Sequence, residues 1–351
     1  MKKILIVTRY DSDSKAGGDL NLMKSFKEVL DEEFYCEMHT GCPSSTRIRE
    51  FDIVLALNFD RPAEAYLCLK KAKKCGVKFV FYSLHHPDDG VINYLKYGVK
   101  GWRKLIAFLA AYNPKRYEFI LWFIKVFKNF HLKLPFSSVR KAQMELMTKS
   151  DLVLFVNERE RAEVEKSLNI KMENYRYVPH IIPSVEVKSQ SVKNRVIVPG
   201  RLESRKNQSI VFDIIKDFKD CEFIFVGGVS ENDKIYAENV ISLINHYSNS
   251  KYISEMKLDE FYSFLASADV VFTASWFEVT SLIEIQVLNL GKKLVCSKYS
   301  YNEPNANMYM FDPLSIADAS NALELALYNE TLPRSNKINN KLILQCIKEL
   351  G

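Results

Sequence analysis

The stretch Ser275-Trp276-Phe277-Glu278-Val279-Thr280-Ser281-Leu282-Ile283-Glu284-Ile285-Gln286-Val287-Leu288-Asn289-Leu290-Gly291 decides how this chain is read. It follows an apolar run at 269–274 that reads as a buried strand, and it precedes a second apolar run at 293–296. Strand, loop, helix and strand together make the unit of a parallel sheet, whose ligands bind at the carboxyl ends of the strands. The S-x-x-E spacing of Ser281 and Glu284 predicts a capping box and a helix starting there, with Gly291 as its stop. The N–H groups of Leu282 and Ile283 are then expected to point outward beside Glu278, and such a terminus attracts phosphate.

The alternation continues on both sides of this stretch. Apolar runs predict strands at 4–8, 52–57, 77–84, 151–157 and 175–179, with helices at 62–75 and 158–168. Lys15-Ala16-Gly17-Gly18-Asp19 reads as a glycine turn opening a helix with Leu22, Phe26, Val29 and Leu30 on its inner side. Those glycines would let backbone come close to a ligand; a plain tight turn is the simpler reading. After a polar linker at 184–193 the pattern restarts, with strands at 196–198, 221–226, 252–253 and 270–273 and helices at 209–218, 234–245 and 258–266. The tail reads as helices at 315–328 and 337–350, with Pro333 between them.

A parallel, doubly wound α/β fold follows. At 351 residues two such domains are expected, facing one another across a hinge. They are placed at 1–183 and 184–330, with a last helix in 331–351 crossing back to the first.

Composition narrows the class. Hydrophobic content of 47% with 26% charged residues is that of an ordinary globular protein. The opening Met-Lys-Lys-Ile-Leu-Ile-Val-Thr has too short an apolar run for a signal peptide, and no stretch approaches the ~18 to 20 apolar residues of a membrane span. Seven cysteines without a C-x-x-C pair argue for reduced thiols in a cytoplasm and against a zinc site. The G-x-G-x-x-G fingerprint is absent, which disfavours a nicotinamide or flavin, and no cofactor or metal is expected.

Charge is unevenly spread. Between Val91 and Ser150 stand twelve Lys or Arg against Glu118 and Glu145, although the whole chain carries only +6. Trp102, Leu105, Ile106 and Leu109, then Phe119, Ile120, Trp122, Phe123, Val126 and Phe127, fall at helical spacing among them. Basic amphipathic helices of this kind dock on anionic membranes, and the expectation is peripheral contact at the inner face of the cytoplasmic membrane. The plainer reading is a core cap with a solvated basic side. A nucleic-acid role is disfavoured, because no nucleic-acid-binding module surrounds these aromatics.

Two further stretches sit at strand ends. One is the pair His85-His86, and the other is Val198-Pro199-Gly200-Arg201-Leu202-Glu203-Ser204-Arg205-Lys206-Asn207. A glycine, cations and a helix start directly after a strand suit a diphosphate, although alone they could be a basic loop.

Taken together with 275–291, this stretch resembles the signature of the retaining GT-B nucleotide-sugar glycosyltransferases, the group 1 or family 4-like enzymes best known for assembling bacterial polysaccharides and glycolipids. That signature pairs G-R-L-x-x-x-K-N with a later S-x-x-E-G-F-G-L-P-x-x-E-A-x-x-x-G. Gly200, Arg201, Leu202, Lys206 and Asn207 match the first element, and Ser275, Glu278, Leu282 and Gly291 match the second. Gly17-Gly18, Asp151-Leu152-Val153 with Asn157 and Glu160, Val178-Pro179 and Asp312-Pro313 extend the resemblance over most of the chain.

The resemblance implies a UDP- or GDP-type sugar donor and a saccharide or lipid-linked acceptor. Arg201 and Lys206 would hold the diphosphate, Glu278 the sugar hydroxyls, and Thr280, Ser281 and Leu282 the phosphate through backbone amides. His85 or His86 would act near the sugar, and Tyr252 and Ile253 would line the base pocket. One departure is Gln286, where the family has the carboxylate that binds ribose. An amide carbonyl accepts one such bond without the charge, so a weaker nucleotide grip is expected. Val279 and Ser281 replace two signature glycines, and His180-Ile181 stands where Asn-Gly is frequent. Two alternatives accompany this reading: a binding or scaffold subunit that has lost activity, and a nucleotide-sugar epimerase.

Overall fold

A computed structural model describes residues 1–12, 17–128, 138–182, 190–331 and 340–350. The expected Lys15-Ala16 part of the first glycine turn, most of the 184–193 linker, Pro333 and the start of the last helix lie outside the described residues. The chain divides into two compact units, 1–86 with 106–181 and 338–351, and 87–105 with 182–337.

The first unit carries a six-stranded sheet. Its strands are β1 (Lys3–Thr8), β2 (Tyr35–Thr40), β3 (Ile53–Leu57), β4 (Lys78–Tyr82), β5 (Leu152–Phe155) and β6 (Tyr175–Tyr177). They run in the order β2-β1-β3-β4-β5-β6, and every pairing is parallel. Strands buried on both faces read as continuous apolar runs, and β1 and β3 do so. One face packs Leu5, Val54, Phe79 and Val153 against α3 (Ala63–Cys75), α6 (Pro114–Lys128) and α7 (Val139–Lys149). Gly76, in the left-handed region, ends α3. Beside α1 (Gly18–Leu30) lies the terminal helix α14 (Leu342–Glu349), with ion pairs Lys341–Glu32 and Lys348–Glu33. The last helix therefore belongs to the first unit.

The second unit repeats the plan. Its strands are β7 (Arg195–Pro199), β8 (Glu222–Val226), β9 (Ser250–Ile253), β10 (Val270–Thr273), β11 (Lys293–Ser297) and β12 (Met308–Phe311), in the order β12-β11-β10-β7-β8-β9, again all parallel. On one face lie α9 (Ile210–Ile214), α10 (Lys234–His246) and α13 (Ile316–Tyr328). On the other lie α11 (Leu258–Ala266) and α12 (Leu282–Asn289). Both sheets are thus doubly wound.

The segment 87–105 departs from the expected boundary at 183, because it packs with the second unit. It holds α4 (Asp88–Asn93), a π-turn at Tyr94–Gly98 and the start of α5 (Trp102–Leu109). Tyr94 meets Phe277 edge to face, with ring centroids 5.8 Å apart. Gly98 lies against the Trp276 indole so closely that a Cβ would fall 2.5 Å from its Nε1. Only glycine admits that approach.

Candidate functional site

The residues singled out in the second unit gather at the carboxyl ends of β7 and β10. Gly200 leaves β7 at φ +126°, and a tight 3-10 turn at Ser204–Lys206 ends with Asn207 in the left-handed region. Next to Gly200 comes the end of β8, where Gly227 has φ +148° and a Cβ would lie 2.4 Å from the Gly200 carbonyl oxygen. The neighbouring strand end leads through Ser275 to Glu278.

These two strand ends are joined by charge. Lys206 Nζ donates to Glu278 Oε1, which also accepts from Ser275 Oγ at 2.8 Å. Arg205 Nη1 stands 3.4 Å from Glu278 Oε2. Burial alone would push the Glu278 carboxyl up, but the Lys206 and Arg205 charges hold it well below the usual carboxylate range. Arg201, by contrast, is half-exposed and lies 3.4 Å from Glu203. In the sequence Arg205 stands only as one of three cations between Gly200 and Asn207. Its pairing with Glu278 appears only when 205 and 278, far apart in sequence, come together.

The helix after Glu278 starts where expected, at Leu282, with Ser281 as its N-cap in extended backbone. Its first backbone bond runs from Ile285 N to Ser281 O at 3.0 Å, so the N–H groups ahead of Ile285 precede the ladder. The capping box does not form, for Ser281 makes no side-chain cap. Glu284 instead turns into the unit and accepts from Thr273 Oγ1 at 2.6 Å, Ser300 Oγ at 3.0 Å and Asn302 Nδ2 at 2.5 Å. A carboxylate buried to 1% exposure needs donors from its own surroundings, and hydroxyls and an amide from neighbouring loops meet that need better than one exposed backbone N–H.

Other polar side chains of the site are buried but unmatched. Asn207 Nδ2, Thr280 Oγ1 and Gln286 Oε1 have no hydrogen-bond partner among the described residues. Native interiors seldom leave such atoms unpaired. Tyr252 is committed to the fold, since its hydroxyl donates to the Gly227 carbonyl at 2.9 Å and its ring packs on the core, while Ile253 packs on the opposite face.

The first unit places the histidines at the end of β4. Asp60, in the loop after β3, lies 2.7 Å from His85 Nδ1 and 2.6 Å from His86 Nδ1, and it accepts the backbone N–H of His86 at 2.9 Å. Burial would raise its carboxyl, yet the two imidazoles hold it well below the usual range. His85 is buried, with its ring on Phe59, and its backbone N–H goes to Glu160; His86 is the partly exposed one. Asp60 escaped the sequence reading, although its place just beyond a strand's carboxyl end was a usable signal. Gly17 is the extended N-cap of α1 and Gly18 its first residue, beside Asp19, which pairs with Arg9. Neither glycine has a positive φ, so backbone conformation does not demand glycine there. Among the described residues no three His, Cys, Asp or Glu side chains converge as a cation site would require.

Comparison with solved structures places this architecture. Anabaena HepE, solved with UDP and glucose, matches with a TM-score of 0.62 at 13% identity over 99% of both chains. The fold is GT-B. Sucrose-phosphate synthase from Thermosynechococcus elongatus matches at 0.63 and 11% identity over 100% of this chain and 95% of its own. The UDP-GlcNAc 2-epimerase of Methanocaldococcus jannaschii matches at 0.55 and 9% identity over 99% of both. No family model matches the chain, and no curated protein matches it either. At such identities the GT-B likeness is one of fold, and the chemistry rests on this chain's own residues.

Proposed function

We propose that the protein is a retaining, metal-independent glycosyltransferase that moves a hexosyl group from a UDP- or GDP-type sugar to a saccharide or lipid-linked acceptor in surface polysaccharide synthesis. The observation that carries this reading is the meeting of Lys206 with Glu278 beside the start of α12. A cation, a carboxylate and helix N–H groups at adjoining strand ends match a diphosphate joined to a sugar. Lys206, with Arg201 moving over from its exposed pair with Glu203, would stabilise the charge that gathers on the diphosphate as the bond to the sugar breaks. Glu278 would take the sugar hydroxyls. Thr280, Asn207 and Gln286 would find in the donor the partners they lack in the protein.

Nucleotide release measured against a panel of sugar donors tests the reading. Lys206→Ala and Arg201→Ala should each lower turnover by roughly a hundredfold or more. Unchanged turnover in both would remove the diphosphate assignment. Absence of any nucleotide binding at millimolar concentration would leave a scaffold protein on this fold.

The membrane part of the proposal rests on α5. Trp102, Leu105, Phe108 and Leu109 are exposed on that helix, while Ile106 and Ala107 are buried, and Lys100, Arg103 and Lys104 lie beside them. The segment also supplies core, since Trp122 is buried in the first unit. No helix among the described residues is long and apolar enough to cross a membrane. Sedimentation with anionic vesicles that weakens as salt rises is the expected result, and binding should be lost in Leu105→Glu/Phe108→Glu. Failure to sediment at low salt would sink it.

A further inference from the structure

We infer that Arg205 is a positioning residue, which keeps Glu278 in place and its charge compensated while Lys206 leaves Glu278 for the diphosphate of an incoming donor. The inference rests on the donor-site reading above. As the structure stands, the ammonium that would meet the diphosphate is bonded to the carboxylate that would meet the sugar. Donor binding must break that bond. Glu278 is buried, and a buried carboxylate stripped of its only cation is strongly destabilised.

Arg205 supplies the second cation, on the other oxygen of Glu278. It cannot follow Lys206 to the phosphate without giving up several bonds. Its Nη2 lies 3.3 Å from Glu203 Oε1, its Nη1 donates to the Phe277 carbonyl at 3.5 Å, and its guanidinium sits 5.6 Å from the centre of the Phe277 ring. The turn is held as well, since Trp276 N donates to the Arg205 carbonyl at 3.0 Å. The charged and titratable groups facing Glu278 are Lys206 and Arg205 from the turn after β7 and Glu284 from α12; Glu203 and Tyr94 in turn act on Arg205. One cation is therefore free to change partners because the other is not.

Without Arg205, Lys206 alone would have to serve both anions. Diphosphate binding would then strand Glu278, which would take up a proton, so binding would tighten as pH falls. In the wild type Glu278 stays paired with Arg205, so it adds no proton uptake to whatever the terminal phosphate of the nucleotide, with its second pKa of about 6, exchanges on binding.

The test is calorimetric titration of the full chain with UDP and GDP from about pH 6 to about pH 8 in buffers of differing ionisation enthalpy, for wild type, Arg205→Gln and Arg205→Lys. Arg205→Gln should bind roughly ten- to a hundredfold more weakly than the wild type at the upper pH, regain affinity relative to it on acidification, and take up more protons on binding than it does. Arg205→Lys should recover most of the affinity and the wild-type pH profile. Wild-type affinity in Arg205→Gln, or an equal loss at every pH without added proton uptake, would overturn the inference, the second result marking a merely structural side chain. If Arg205→Gln does not fold, Arg205→Lys carries the test: nucleotide affinity that is weakened and more pH-dependent than in the wild type, at an unchanged folding temperature, overturns the inference. A wild type that binds neither nucleotide would overturn the donor reading itself, a failure distinguishable from one confined to the variants.

Discussion

Glu160 accepts the backbone N–H of His85 at 2.8 Å, tying the first turn of α8 (Glu158–Leu168) to the end of β4. Its second oxygen accepts from Val156 N at 2.7 Å. The carboxyl is fully buried, and burial pushes its pKa up to about 7. A raised carboxyl pKa means that the fold favours the protonated form, so this group's contribution to stability is present below its unfolded value of about 4.3 and is lost as pH rises toward 7. Glu160→Gln should flatten that slope in chemical denaturation at a series of pH values. It should also cost about 1 to 3 kcal/mol at low pH, because a Gln side chain offers one acceptor to two backbone N–H groups.

Asp60 behaves in the opposite sense. Its depressed pKa makes its stabilisation present above the unfolded value of about 3.9 and lost as pH falls below it. Asp60→Asn should remove that acid-limb dependence in thermal melts. It should also lower turnover, by roughly tenfold or more, because His85 and His86 lose the acceptor that orients them. Wild-type turnover in this variant would mean that neither imidazole takes part in the reaction.

Gly227→Ala combines a positive φ with a Cβ 2.4 Å from the Gly200 carbonyl, so backbone must move at the turn after β7. A loss of about 2 kcal/mol or more is expected in denaturant titration. Gly200→Ala should cost less, since its Cβ would meet only Lys206 methylenes at 3.7 Å or beyond and the strain lies in φ alone.

Gln286→Glu tests the proposed ribose contact. The buried amide oxygen of Gln286 has no partner among the described residues. A carboxylate there should bind nucleotide several-fold more tightly through charge-assisted hydrogen bonds, while lowering the melting temperature of the nucleotide-free protein by burying an unpaired charge. Thermal shift with and without UDP measures both. Equal shifts in wild type and variant would separate Gln286 from the nucleotide.

Most elements of both sheets were legible as apolar runs, and the two strands that escaped are informative. Tyr35–Thr40 and Met308–Phe311 each occupy a sheet edge, where one side lacks a neighbour and the burial pattern is mixed. An edge strand needs no continuous apolar run, so periodicity does not announce it. The helix start at Leu282 was legible from the Ser281–Glu284 spacing, and it falls there although the capping box behind that reading does not form.

What the sequence by itself determined is therefore the alternation of strand and helix, the two sets of parallel βα units and the two stretches, 200–207 and 275–291, whose residue types suit a diphosphate. Those follow from hydrophobic period and turn residues, which act over a few positions. Tertiary structure alone decided which charges meet. Glu284 left the expected cap for Thr273, Ser300 and Asn302, Asp60 took both histidines, and Arg205 rather than Arg201 reached Glu278. Burial makes each of these choices, because a charge removed from water must find its partner wherever the packed chain offers one.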